Sequence, residues 1–366
     1  MKYKEMKLGD VAEINMGQSP NSKYFNSDGK GIEFLQGIRT FGENYPSFDT
    51  YTTQYNKISK KGDILFSVRA PVGKVNWSDR KIAIGRGLAA LNVLPNFSSK
   101  YVYYFLKKVG SQINSISSGT VFSSINKKEL ANVKILIPDS LKDQEYIGTR
   151  LALLDKKIEL NNQINDNLFE IANLIFENQL NNDCTKLSNI ATIQNGYAFK
   201  SKEYISQKQL LILRTKNIES NHLFNKSDVV YINQDNFCKY KKFAFNKFDT
   251  ALVMVGANIG KTGFITSNVL PALQNQNMWR FRSKDSKMPG LLLYEYVNYI
   301  NKKVQGYASG SARSFYRKKV FSDFEVPIID SNFFKYFERI QFQINNIQLE
   351  NNILVELKQE MLNKYF

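Results

Sequence analysis

The sequence predicts an α+β protein of two similar domains with mixed α/β-sheet cores, each followed by a long helix. Three observations carry this expectation. An opening segment occurs twice, a strand-and-turn unit occurs twice, and two long stretches carry narrow apolar stripes at helical spacing. A shared order of segments means that one structural plan has been used two times, so the chain offers two equivalent surfaces.

The opening Leu8-Gly9-Asp10-Val11-Ala12-Glu13-Ile14-Asn15-Met16-Gly17 returns 179 positions later as Leu187-Ser188-Asn189-Ile190-Ala191-Thr192-Ile193-Gln194-Asn195-Gly196. Each reads as a strand or short helix that breaks at its glycine. Gln18-Ser19-Pro20 follows in one copy and Tyr197-Ala198-Phe199 in the other, as where a chain turns out over the surface. A short extended element comes next, Phe34 to Arg39 against Ile212 to Asn217. Its apolar start and polar end put Gln36, Arg39, Arg214 and Lys216 near a domain edge.

The clearest match joins Gly62 to Lys74 with Asp249 to Lys261, at a spacing of 187. Both read as a buried strand, rich in apolar and β-branched residues, that breaks at a Gly-Lys turn. A third echo, Ser118 to Ile125 against Ser309 to Tyr316, lies at 191. This drift places about a dozen inserted residues in the second copy, in loops, so the copies share a scaffold and differ in what they display.

Each copy ends in a helix. In residues 142–181 the stripe runs Ile147, Leu151, Leu154 and Ile158, then resumes at Ile164, Leu168, Ile171 and Ile175. The final stretch shows Phe337, Ile340, Ile344 and Ile347, then Ile353, Leu357 and Met361. Such stripes suit helices that pack along one seam. Both skip across Asn161-Asn162 and Asn351-Asn352, which fits two helices that pair with each other while polar residues set their register. At the rise of an α-helix they extend about 60 Å and about 50 Å.

A chain of 366 residues with 43% hydrophobic content supports two cores. The net charge of +17 is unevenly spread. Residues 142–181 carry −3 and residues 331–366 carry 0, which leaves +20 on the two remaining blocks. A field confined to those blocks suits a polyanion. Two cysteines make no disulfide framework, no apolar run approaches a membrane span, and no export signal opens the chain; these features lead us to expect a cytoplasmic protein.

Catalytic constellations are not visible. His222 is the only histidine and reads as a surface-loop residue, while Cys184 and Cys238 stand far apart. Gly256-Ala257-Asn258-Ile259-Gly260-Lys261-Thr262 has three residues between its glycines where a phosphate loop needs four. We therefore expect no catalytic, cofactor-binding or metal-binding residue in this chain. Basic and amide side chains near the strand-and-turn units are instead candidates for DNA contact: Gln36, Arg39, Arg69, Lys74, Arg86, Arg214, Lys216, Asn258, Lys261, Arg280 and Arg313. Long cations neutralise phosphates, whereas arginine, glutamine and asparagine present paired hydrogen bonds to base edges.

The string Leu187 to Ser201, the Gly62-Asp63-Ile64-Leu65 unit, and the approach from Pro138 to Gln144 into the first helix resemble the specificity subunit of type I restriction-modification systems. The likeness extends over essentially the whole chain. It implies that residues 1–141 and 182–330 are target recognition domains, each reading one half of an asymmetric, divided double-stranded DNA sequence. Residues 142–181 and 331–366 would be the central and C-terminal conserved helices, an antiparallel, coiled-coil-like spacer. The stripe residues Ile147, Leu151, Leu154, Ile158, Ile164, Leu168, Ile340, Ile344, Ile347, Ile353 and Leu357 would then form the spacer and dock partners.

The resemblance further implies two modification (methyltransferase) subunits holding S-adenosylmethionine for adenine methylation, and restriction subunits using ATP and Mg. Related type II systems, in which one partner fuses methylation and cleavage, share these features; an RNA-binding scaffold is the rival from another class. One departure stands out. Asp143-Gln144-Glu145 opens the first helix, but Phe333-Phe334 opens the second with no such glutamine, which leaves the second docking site less defined.

Overall fold

The computed structural model describes residues 1–110, 124–307 and 315–366. Two compact units divide the chain: Met1–Lys157 with Val355–Phe366, and Ile158–Leu354. The echo over 118–125 and 309–316 falls largely outside the described residues.

In the first unit, strand Tyr3–Lys7 runs into a single helical turn, Leu8–Val11, and then strand Ala12–Met16. Leu8 and Val11 are fully buried, which anchors the turn, and Ala12 ends it by returning to extended backbone. Tyr3–Lys7 pairs antiparallel with Lys134–Pro138. Ala12–Met16 forms the edge of a four-stranded antiparallel sheet, followed in order by Leu88–Val93, Ile64–Ser67 and Val75–Trp77. A second sheet joins Ile32–Leu35 to Ile82–Ile84 in parallel.

Strand Ile64–Ser67 explains its own unbroken apolar run. Ile64 and Phe66 enter a core with Tyr101, Val102 and Leu106 of helix Ser99–Val109, whereas Leu65 enters a second core with Leu35, Ile82 and Ile84. A strand covered on both faces shows no alternation.

The second unit repeats the plan. Cys184–Lys186 pairs with Glu325–Pro327, and a four-stranded sheet runs Ala191–Asn195, Met278–Ser283, Thr250–Val253, Thr262–Phe264. Leu210–Leu213 lies parallel to Ala272–Gln274, as Ile32–Leu35 does to Ile82–Ile84. Helix Gly290–Tyr307 covers the sheet.

The Gly-Lys turns superpose in their bonding. Ser67 and Val253 each donate their N–H to the carbonyl of the lysine, Lys74 or Lys261, at 2.9 Å. The glycines before them stand at φ +91° and +85°, a region that excludes most side chains. The spacing needs correction at one end. Asp63 and Asp249 are the structural equivalents, each accepting from the N–H three residues earlier, of Lys60 and of Asn246. They lie 186 apart, so the second turn is one residue longer and Gly62 corresponds to Phe248, also at positive φ.

The two long helices are Leu141–Asn178 and Phe334–Tyr365. Within the first unit, Ile147 and Leu151 share a core with Leu362, and Asp155 pairs with Lys358. Within the second, Asn161 and Asn162 bond Asn351. Partners rise along one helix as they fall along the other, so the helices run antiparallel.

Their buried seam differs from the apolar stripes in the sequence. It continues from Ile158 through Asn161 and Asn165 to Phe169, Ala172 and Phe176, opposite Phe337, Ile340, Ile344, Gln348 and Asn351. Ile147, Leu151, Ile158, Ile340 and Ile344 belong to it, while Leu154, Leu168 and Ile347 sit half-buried at its margin. Ile164, Ile353 and Leu357 are 45%, 64% and 43% exposed and lie outside the seam. Asn165 fills the seam position beside Ile164 and Asn351 the one nearest Ile353, so a count of apolar residues jumps to the wrong face there.

The glutamine not found at the second helix entry is supplied from further along. Gln144 accepts the N–H of Ser98 at 2.9 Å at the start of one covering helix. Gln341 accepts the N–H of Leu291 at 3.2 Å at the start of the other. Each satisfies a donor that a helix start leaves open.

Candidate nucleic-acid interface

Three sequence candidates meet at one groove of the first unit. Gln36 follows strand Ile32–Leu35, Arg69 follows Ile64–Ser67, and Arg86 lies in the turn between Ile82–Ile84 and Leu88–Val93. All three are exposed, and they line a groove of about 210 Å³ with Ile38, Ser67 and Ala70. The close approach of these turns needs glycine. The N–H of Gly87 donates to Gln36 at 3.2 Å, and a Cβ there would stand 2.4 Å from the same carbonyl.

The matching bonds identify the counterparts in the second unit. Gly85 donates to Leu35 as Asn275 donates to Leu213, and Val68 donates to Gly87 as Met254 donates to Asn277. Arg69 bridges Ser124 as Val255 bridges Phe315. Gln36, Arg69 and Arg86 therefore correspond to Arg214, Val255 and Gln276. The sequence reading missed Gln276. Its spacing of 190 from Arg86 was the available signal, since it falls within the drift from 179 to 191.

The other candidates divide by what holds them. Lys74 is exposed at its turn, and Asn258 is exposed in the turn before Lys261. The Lys261 ammonium donates to the carbonyl of Ile218 at 2.6 Å, so this lysine braces a neighbouring loop. Arg39 forks Asp49 with two bonds of 2.6 Å, which hold the Asp49 carboxyl below its usual range. Arg214 and Lys216 both engage Asp228, whose carboxyl is lowered by the Lys216 ammonium. The buried Nε of Arg214 has no partner among the described residues.

Arg280 departs from expectation. It is 7% exposed and directs its guanidinium inward, donating to the carbonyls of Lys242 and Ala244. Beside it Arg282 forks the buried Asp249 at 2.8 and 2.6 Å. Burial raises the Asp249 carboxyl despite this fork. Arg280 thus stabilises the fold from a buried strand and leaves almost none of its side chain facing outward for a duplex. Arg313 lies outside the described residues.

On the long helices an apolar face remains open. In the second unit Leu160, Ile164 and Ile171 follow one another on the first helix at 43–47% exposure, and Phe342, Leu349 and Ile353 on the second at 39–64%. The spacings of seven and four place each set on a single face, away from the buried seam. Among the described residues no group of three or more His, Cys, Asp or Glu is placed to hold a metal ion, and no helix is long and apolar enough to cross a membrane.

Residues 1–170 match the family of type I restriction modification DNA specificity domains. A putative type I restriction enzyme MjaX specificity subunit of Methanocaldococcus jannaschii is 38% identical over 176 residues, 43% of this chain and 40% of that relative. The MjaIX specificity subunit of the same organism is 25% identical over 280 residues, 66% of this chain and 63% of the relative. The matches thus span about half the length of these curated relatives. The crystal structure of a type I restriction-modification S subunit from M. genitalium covers 100% of this chain and 96% of its own, with a TM-score of 0.60 and 16% identity, which establishes a common fold. Residues 1–170 are thus similar to the specificity domains of type I restriction-modification systems, and the chain as a whole shares the fold of the M. genitalium S subunit.

Proposed function

We propose that this chain is the non-catalytic, sequence-reading subunit of such a system: it binds a divided, asymmetric duplex target and directs adenine methylation and restriction by partner subunits. Residues 1–141 read one half-site, residues 182–330 the other, and the helices at 142–181 and 331–366 separate them. One observation carries the reading. On a common scaffold the two copies place different side chains at the same three positions, Gln36, Arg69 and Arg86 in one and Arg214, Val255 and Gln276 in the other, while keeping the Gly-Lys turn. Different base-edge chemistry on equal frames is what two unlike half-sites require.

Lys74, Lys216 and Asn258 contribute phosphate contacts that position the duplex, supported by the +20 on the two blocks. The open apolar faces on the helices dock two methyltransferase subunits, and restriction subunits join through them. S-adenosylmethionine, ATP and Mg belong to those partners; this chain contributes position and selection. Co-expression with a type I methyltransferase subunit from the same source, followed by mapping of methylated adenines across the genome, tests the proposal. A single two-part motif with a fixed spacer is expected. Methylation at an undivided motif, or without any motif, contradicts it.

A further inference from the structure

A cavity of about 600 Å³ opens in the second unit. Its walls come from the first long helix, the loop at 219–222, the Gly260-Lys261-Thr262 turn and helix Gly290–Tyr307. Asp166, Glu170 and Glu219 bring carboxylates to it, and the rings of Phe169 and Tyr294 stand 5.2 Å apart in its wall. His222, on the exposed rim, turns its edge to both rings.

Glu295 lines the same cavity and is only 2% exposed. Among the described residues its carboxyl receives no hydrogen bond and has no cation within ion-pair distance. Of the two lysines of the cavity, one is committed elsewhere and the other, Lys302, acts on Glu295 only through space. Lys261 donates to Ile218, and Lys302 lies 3.7 Å from Glu177 and 3.5 Å from Asn173. A buried carboxyl without a hydrogen bond costs stability, so its presence needs a reason beyond folding.

The first copy shows that the scaffold does not supply that reason. Tyr101 and Tyr296 are equivalents, each donating its hydroxyl to a backbone carbonyl of the paired strand, Leu136 at 2.8 Å and Pro327 at 2.9 Å. The counterpart of Glu295 is therefore Lys100, which is exposed. The same frame folds with the opposite charge at this position.

We propose that this cavity binds an organic cation, an alkylammonium or guanidinium group seated between the Glu295 carboxyl and the Phe169 and Tyr294 rings, with Asp166 and Glu170 nearer the opening. Carboxylates and aromatic walls together are the chemistry that selects such cations over water. The cation comes either from a free polyamine or from a lysine or arginine of a docked partner. A chain of net charge +17 repels cations in general, so any that bind must find a local site.

Titration calorimetry of the full chain, without DNA and at about pH 9, where the Glu295 carboxyl is ionised, tests the proposal with three probes: spermidine, and lysine and arginine capped at both ends. Binding of one molecule per chain is expected, weakened about tenfold or more by Glu295→Gln and unchanged by Glu325→Gln, a charge-matched substitution at an exposed strand position. The first substitution removes the costly buried carboxyl while keeping the size of the side chain, so the fold persists. Preference for spermidine assigns the cavity to a free polyamine; a capped amino acid binding as tightly assigns it to a partner's side chain. Binding that survives Glu295→Gln within about twofold, or no binding of any probe, overturns the proposal.

Discussion

Asn161 donates its side-chain N–H to the side-chain oxygen of Asn351 at 2.8 Å, and both residues are buried, 1% and 7% exposed. The two asparagine pairs that interrupt the apolar stripes thus meet each other. Asn351 in turn donates to Asn162 at 3.0 Å, so the pairing is reciprocal and tolerates only one register. Asn161→Ala leaves an Asn351 acceptor buried and unpaired, and we expect a loss of about 1–3 kcal/mol in urea unfolding. Replacing both Asn161 and Asn351 by leucine restores stability while relaxing register, since an apolar pair packs equally well one turn away. Crosslinking across the seam distinguishes one register from several.

Asp249 holds the buried strand ends of the second unit through its fork with Arg282. Asp249→Ala leaves the buried Arg280 and the partly exposed Arg282 without their carboxylate, and we expect destabilisation on the order of 3 kcal/mol in denaturant unfolding. Asp63→Ala removes a hydrogen bond from Asn92 instead of an ion pair and costs about 1 kcal/mol. Comparable losses from the two substitutions would contradict this difference between the copies.

Burial pushes the Glu295 carboxyl up to about 8. An unfolded chain ionises this group near its ordinary value of about 4.3, so between that pH and about 8 the folded state holds a proton that the unfolded state has shed. This contribution to stability is complete at acidic pH and is lost as pH rises, at up to about 1.4 kcal/mol per pH unit. Glu295→Gln should flatten that dependence and raise the unfolding midpoint most at and above about pH 8. An identical pH profile for both proteins would show that the carboxyl is not held protonated by burial.

Lys74 and Arg86 are exposed in the first unit and, on the proposed function, should separate two modes of DNA contact. Lys74→Gln lowers affinity for all sequences alike and reduces the slope of log affinity against log salt by about 1. Arg86→Ala costs about 1–3 kcal/mol at one base pair and relaxes selection there, leaving other positions unchanged. Binding measured over a library of targets at several salt concentrations reads both effects.

Much of this was legible in the sequence where geometry restricts residue choice. Gly73 and Gly260 mark their turns because positive φ favours glycine, and the duplication exposed them together. The extra residue in the second turn was hidden because Phe248 takes a positive φ where the first copy has Gly62. The helix pair was visible from its stripes, but the seam was misplaced at Ile164, Ile353 and Leu357. Asn161 and Asn165 fill seam positions without adding to an apolar count. Arg280 looked like a surface cation because its acceptors, the carbonyls of Lys242 and Ala244, are brought to it only by the fold. Glu295 sits in the apolar run Leu291-Leu292-Leu293-Tyr294 to Val297 and gave no sign of the cavity it lines.

The central claim is that each copy reads its own half of one target. Replacing residues 182–330 with the corresponding block of a relative of different specificity, in the presence of the methyltransferase, and mapping methylated adenines tests it directly. One half of the motif should change while the other half and the spacer are retained. A motif unchanged by the exchange, or replaced in both halves, would contradict it.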